Sequence, residues 1–176
     1  MAAARGDVYA YDTSSFPSSP DAGGGCGRTD ATGAPLADDV VRTTFIPAGE
    51  HGLATPAGLA PAPDGGFYVS SVFTGVINEY DVDGRFVRTI LEPPAGEQVG
   101  AEPYSTGSPL GIGVDDTGTL FYADIGIVVS DDGVGPGDRT GSVRQIRFEG
   151  GEPQPPETMA SGLEFPDGIG VWLPPG

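Results

Sequence analysis

An all-β fold made of repeated four-stranded antiparallel units is the class this sequence predicts, and three observations predict it. The chain of 176 residues holds 30 Gly and 18 Pro, residues that are poor inside helices. Four short segments recur in the same order along it. Each segment is rich in Val, Ile, Phe, Tyr and Thr and is bounded by Gly, Pro or Asp, as strands are. The Gly and Pro content, together with a net charge of −17, approaches the composition of disordered chains. The regular repeat is what argues for a folded one.

The first segment reads Pro56-Ala57-Gly58-Leu59, Pro109-Leu110-Gly111-Ile112 and Pro166-Asp167-Gly168-Ile169. The second follows a turn (Asp64-Gly65-Gly66; Asp116-Thr117-Gly118) and reads Phe67-Tyr68-Val69-Ser70 and Phe121-Tyr122-Ala123-Asp124. The third reads Gly6-Asp7-Val8-Tyr9-Ala10-Tyr11, Gly75-Val76-Ile77-Asn78-Glu79-Tyr80 and Gly141-Ser142-Val143-Arg144-Gln145-Ile146. The fourth reads Val41-Arg42-Thr43-Thr44 and Val87-Arg88-Thr89-Ile90. Asp83-Gly84 and Glu149-Gly150-Gly151 separate third from fourth segments. An Asp-Gly step supplies the positive φ of a tight hairpin, so those two strands should be antiparallel neighbours.

Four antiparallel strands per repeat, in up-and-down order, make one β-propeller blade. Apolar residues fall on both faces of the third strand, which suits a blade packed between two others. A β-sandwich does not explain why four distinct segments recur in one order. The chain 1–176 therefore reads as a single partial β-propeller. Residues 6–47 form a half blade with a long loop at 13–39. Whole blades lie at 56–91 and 109–160, and 166–172 is the first strand of the next. That is about three blades, where closure takes about four to eight. The expectation is an open fragment whose bare faces and edges are covered by missing blades or by self-association.

Charge narrows the partners. All eight basic residues are Arg, against 25 acidic side chains. Such a surface repels phosphate, so nucleic acid and anionic membranes are excluded as partners. The single cysteine, Cys26, forms no internal disulfide and carries no information about compartment. Met1-Ala2-Ala3-Ala4-Arg5 leads into Gly6-Asp7-Val8 with no apolar leader segment. Either the chain is cytoplasmic, or its true N-terminus lies upstream and an extracytoplasmic location stays open.

The stretch from Pro109 to Asp124 resembles the NHL and regucalcin/gluconolactonase-like propellers, which are six-bladed. Their pattern is Pro-x-Gly-Ile-Ala-Val-Asp, then Gly, then Tyr-Val-Ala-Asp. The resemblance covers roughly residues 55–172, more weakly 6–46. It is specific for fold and poor for function, because such propellers host enzymes and binding platforms alike. In the gluconolactonase-like relatives, the residue between Pro and Gly is often Asn or Asp and reaches a channel metal. The resemblance therefore implies a metal role for Asp167, whereas Ala57 and Leu110 at the matching places cannot ligate.

Candidate chemistry falls on the rim at which first strands begin. Glu164, Asp167 and Asp124 are the candidate metal ligands there. Carboxylates converging from separate loops are what Ca²⁺ or another divalent cation requires. Asp131, Asp132 and Asp138, in the 125–140 loop, and the lone histidine His51 are candidate ligand-binding residues. The same residues have plainer readings, as turn and strand-end caps or a solvated loop. No organic cofactor is indicated, and no Gly-x-Ser-x-Gly elbow or Walker A motif occurs. Two functions remain. One is a propeller that binds a small molecule or protein at its rim. The other is a metal-dependent gluconolactonase-like hydrolase acting on a sugar lactone or similar ester.

Overall fold

The computed structural model describes residues 6–16, 40–97, 106–131 and 133–172. Cys26, Asp132 and most of the 13–39 loop lie outside the described residues. The chain divides into two compact units, Asp7–Pro47 and Met1–Gly6 with Ala48–Gly176.

In the smaller unit, β1 (Val8–Tyr11) pairs antiparallel with β2 (Arg42–Ile46). The Arg42 guanidinium lies 4.3 Å from the Tyr9 ring centroid, a cation–π contact across the pair. The loop after β1 opens with a 3₁₀ turn, Thr13–Ser15. Asp12 caps it by accepting from the Ser14 amide at 2.9 Å.

The larger unit contains two four-stranded antiparallel sheets in up-and-down order. The first is β3 (Pro56–Pro61), β4 (Phe67–Ser71), β5 (Val76–Tyr80) and β6 (Phe86–Leu91). The second is β7 (Pro109–Val114), β8 (Leu120–Asp124), β11 (Gly141–Ile146) and β14 (Glu157–Leu163). Two hairpins are inserted in it, β9 (Ile127–Ser130) with β10 (Gly133–Pro136), and β12 (Phe148–Glu149) with β13 (Glu152–Pro153). The 125–140 segment, expected as a loop, is thus largely a two-stranded ribbon.

Aspartates build the turns. Asp64 Oδ1 accepts from the Gly66 amide, Asp81 Oδ1 from those of Asp83 and Arg85, and Asp115 Oδ1 from those of Thr117 and Thr119. Burial pushes the Asp115 carboxyl up, but the hydrogen bonds it accepts from the Thr117 hydroxyl and from the Thr119, Thr117 and Gly118 amides outweigh it and hold the carboxyl below its usual range. Gly65, Gly84 and Gly118 supply the positive φ in each turn (94°, 77° and 83°).

The two sheets pack face to face. Tyr68, Ile77 and Ile90 of the first meet Ile112, Leu120, Tyr122 and Ile146 of the second in one core. All five residues of β5 are buried, as expected of a strand covered on both faces. Their first strands lie side by side. A Cβ on Gly58 would stand 2.4 Å from the Leu110 carbonyl oxygen, and one on Gly111 would stand 2.7 Å from that of Asp167. β3, β7 and residues 166–171 therefore run next to one another at van der Waals range, as inner strands do around a propeller axis. This is an open, all-β arrangement of β-propeller blades. Residues 166–172 do not form the expected strand, since no strand among the described residues pairs with them.

Register corrects one detail of the repeat. Pro56 pairs with Ser71 and Pro109 with Asp124. The structural counterpart of Asp124 is therefore Ser71 and not Ser70, and the Phe-Tyr pairs of β4 and β8 are offset by one residue. A one-residue offset sends a side chain to the other face. Tyr68 faces the second sheet, and Tyr122 faces the first.

Candidate functional site

Asp124 ends β8 at the rim where the first strands begin. Its carboxylate is 2% exposed and fully engaged. Oδ1 accepts from the Ser108 amide at 2.7 Å and the Gly126 amide at 2.9 Å. Oδ2 accepts from Ser142 Oγ at 2.8 Å and from Arg144 Nη2 at 2.9 Å. Gly107, with φ 77°, lets the backbone wrap this carboxylate, since a Cβ there would meet Asp124 Cγ at 2.3 Å. Ser71 does the matching work in the first blade, accepting from the Ala54 and Thr55 amides at 3.1 Å. The last side chain of each second strand thus holds the backbone entering the first strand. Asp124 is a buried fastener with no free oxygen for a cation.

Asp167 and Glu164 are exposed. Asp124 shares the β8 face that carries Leu120 and Tyr122, toward the first sheet. The backbone at Asp167 lies against Gly111, on the opposite face of β7. The sheet stands between them, and the shared cation site expected from Asp124, Asp167 and Glu164 does not assemble. Among the described residues, no group of three or more His, Cys, Asp and Glu side chains is placed to hold a metal ion.

His51 is exposed, with φ 49°. Its ring stacks on Phe86 at 3.6 Å between centroids, and its carbonyl accepts from Asn78 Nδ2 at 2.9 Å. Phe86 opens β6 opposite Tyr80, at the end of the sheet away from Ser71. His51 therefore covers the blade face and is not on the rim of Asp131 and Asp138.

What does occupy that rim is the β9–β10 ribbon. The matching connection in the first blade is only Val72–Gly75. Gly126, at φ 62°, anchors the ribbon: its carbonyl accepts from the Gly137 amide at 3.0 Å and from Thr140 Oγ1 at 2.6 Å. Ile125 and Ile127 pack with Val72 at the base. Farther out, Val129 and Val134 are cross-strand partners, 58% and 41% exposed. Exposed Asp131 adjoins them at the tip, and Asp138, also exposed, lies beyond the base of the ribbon, after the Gly137–Gly126 hydrogen bond. Sequence reasoning missed the valine pair, whose alternation is too short to read as strands.

At the opposite rim a cleft of about 240 Å³ lies between the blades. Buried Glu79 accepts from Arg88 Nε at 2.6 Å, and Arg88 Nη1 donates to the Gly151 carbonyl at 2.6 Å. The Arg88 guanidinium lies 5.8 Å from the Phe148 ring centroid. Burial, then the Glu79 charge, pushes the Tyr68 phenol up to about 12. Both charges are spent on each other and on joining the two blades, so this cleft is a clamp.

No protein-family model matches the chain, and no curated protein matches it either. The NHL and gluconolactonase-like motif is thus a resemblance of local sequence. Solved structures do resemble it. One is the PQQ-bound form of aldose sugar dehydrogenase from Streptomyces coelicolor, with 24% identity over 64% of this chain and 32% of that one, at TM-score 0.42. Another is a putative oxidoreductase (glucose dehydrogenase) from Thermus thermophilus, with 18% identity over 62% of this chain and 29% of that one, at TM-score 0.39. The chain spans about a third of the length of these structures.

Proposed function

We propose that this chain belongs to a binding propeller that docks a protein partner at the rim bearing the β9–β10 ribbon. The carrying observation is the exposed Val129–Val134 pair on a firmly anchored insertion. Two-stranded ribbons are marginal alone, and exposed apolar pairs cost stability in water unless something covers them. Binding residues commonly sit on connections held by a rigid scaffold. Exposed Asp131, at the tip next to the valines, favours a partner surface that is apolar with a basic margin.

The test compares immobilised wild-type protein with the V129D/V134D variant in capturing partners from the source proteome. A partner held by the wild type and lost by the variant is expected. Hydrolysis of a sugar lactone in the presence of Ca²⁺, abolished in D167A, would replace this reading with the hydrolase one.

A further inference from the structure

The hydrogen-bond alternation of the β9–β10 ribbon decides what its two edges offer. The Gly137 amide donates to the Gly126 carbonyl at 3.0 Å, so these two glycines face each other as a hydrogen-bonded pair. Bonded and non-bonded pairs alternate along an antiparallel ladder. In the register of this ribbon, Val128 with Gly135 and Ser130 with Gly133 are then bonded pairs, while Ile127 with Pro136 and Val129 with Val134 are not. Pro136 has no N–H to give and sits at one of the non-bonded places, as that phase requires. The backbone N–H and C=O groups of Ile127 and Val129 therefore point away from β10, and those of Val134 point away from β9. The ribbon is a sheet of two strands, so no strand among the described residues takes either edge.

The two edges differ. On β10 the outward positions are Val134 and Pro136, and the proline offers no donor. Proline blunts an edge against pairing and glycine weakens a strand, and β10 reads Gly-Val-Gly-Pro. β9 reads Ile-Val-Val-Ser and keeps both outward donors and both acceptors. The Ile127 and Val129 side chains share one face of the ribbon with Val134 and Pro136, so an apolar strip runs beside this edge. Ile127 packs with Val72 at its base, and exposed Asp131 stands at its far end. Building on the rim docking proposed above, on which this rests, we propose that β9 takes an extended segment of the partner as a third, antiparallel strand. Apolar residues of that segment pair with Ile127 and Val129, and a basic residue lies at Asp131. A third strand converts a marginal two-stranded ribbon into a stable sheet. Main-chain hydrogen bonds supply the affinity of such strand addition, and alternate side chains supply its specificity.

The probe is a synthetic heptapeptide of alternating valine and arginine, blocked at both ends and titrated against the full chain by fluorescence anisotropy. Saturable binding is expected. A copy N-methylated on its valines keeps every side chain and charge but loses the donors that would meet β9, and it should bind at least tenfold more weakly. Val129→Pro keeps an apolar side chain and removes one outward N–H, and it should weaken the unmodified peptide at least tenfold. Hydrogen exchange on the wild type reads the edge without any substitution. At saturating peptide the Val129 amide should slow at least tenfold, and the Val134 amide, on the other edge, should keep its rate. Equal affinity for the two peptides, slowing at Val134 instead of Val129, or no binding at millimolar peptide would each overturn strand addition and leave the rim function standing. Peptide affinity of V129D/V134D equal to wild type would overturn the rim function itself, and strand addition with it.

Discussion

Arg144 Nη2 lies 2.9 Å from Asp124 Oδ2, with side-chain exposures of 14% and 2%, and this pair binds β11 to β8 at the rim. Asp124 also holds the Ser108 and Gly126 amides, so one carboxylate joins two strands and both connections beside them. Removing one member of a buried pair strands the other charge in a low-dielectric site. Asp124→Ala should lower stability by about 3–5 kcal/mol, read as an earlier urea midpoint. Adding Arg144→Met should recover part of the loss, leaving the deficit from the backbone hydrogen bonds to Asp124.

The close approach of first strands makes a second expectation. Gly58→Ala and Gly111→Ala drive a methyl into a backbone carbonyl that has little room to move. Each should cost about 1–3 kcal/mol by overpacking. Gly135→Ala, where nothing lies within 4 Å, should cost at most a few tenths of that. Thermal unfolding of the three variants side by side checks the ordering.

Alkaline titration reports on the clamp between blades. The Tyr68 phenol is held at about 12 against an ordinary 10.0, by burial first and the Glu79 charge second. Above pH 10 the unfolded chain ionises this phenol and the folded chain does not, so the unfolded state binds fewer protons and stability falls as pH rises toward 12. Tyr68→Phe should flatten that limb of the stability curve. A residual slope should remain from Tyr80, whose phenol burial also raises.

The rim ribbon should open without the blades. Gly126→Ala puts a side chain at φ 62° and within 2.4 Å of the Thr140 carbonyl carbon. Hydrogen exchange at the Val128 and Gly135 amides, which face each other across the ribbon, should accelerate at least tenfold. Exchange in β5, buried on both faces, should change far less.

Fold class was legible from the residues alone because blade strands are local: Gly and Pro exclude helix, and Asp-Gly steps set the hairpins. The sites were not legible, because side-chain partners come from register and packing. The Phe-Tyr motif suggested that Ser70 and Asp124 correspond, yet pairing of Pro56 with Ser71 and Pro109 with Asp124 shifts the match by one. That single step turns Tyr68 and Tyr122 to opposite faces and puts Asp124 against Arg144 rather than a cation. His51 looked free in sequence and lies flat on Phe86, thirty-five positions away. The repeat of Pro-x-Gly was plain in the sequence. Its reason, a carbonyl from the next inner strand lying where a Cβ would stand, exists only once the strands are side by side.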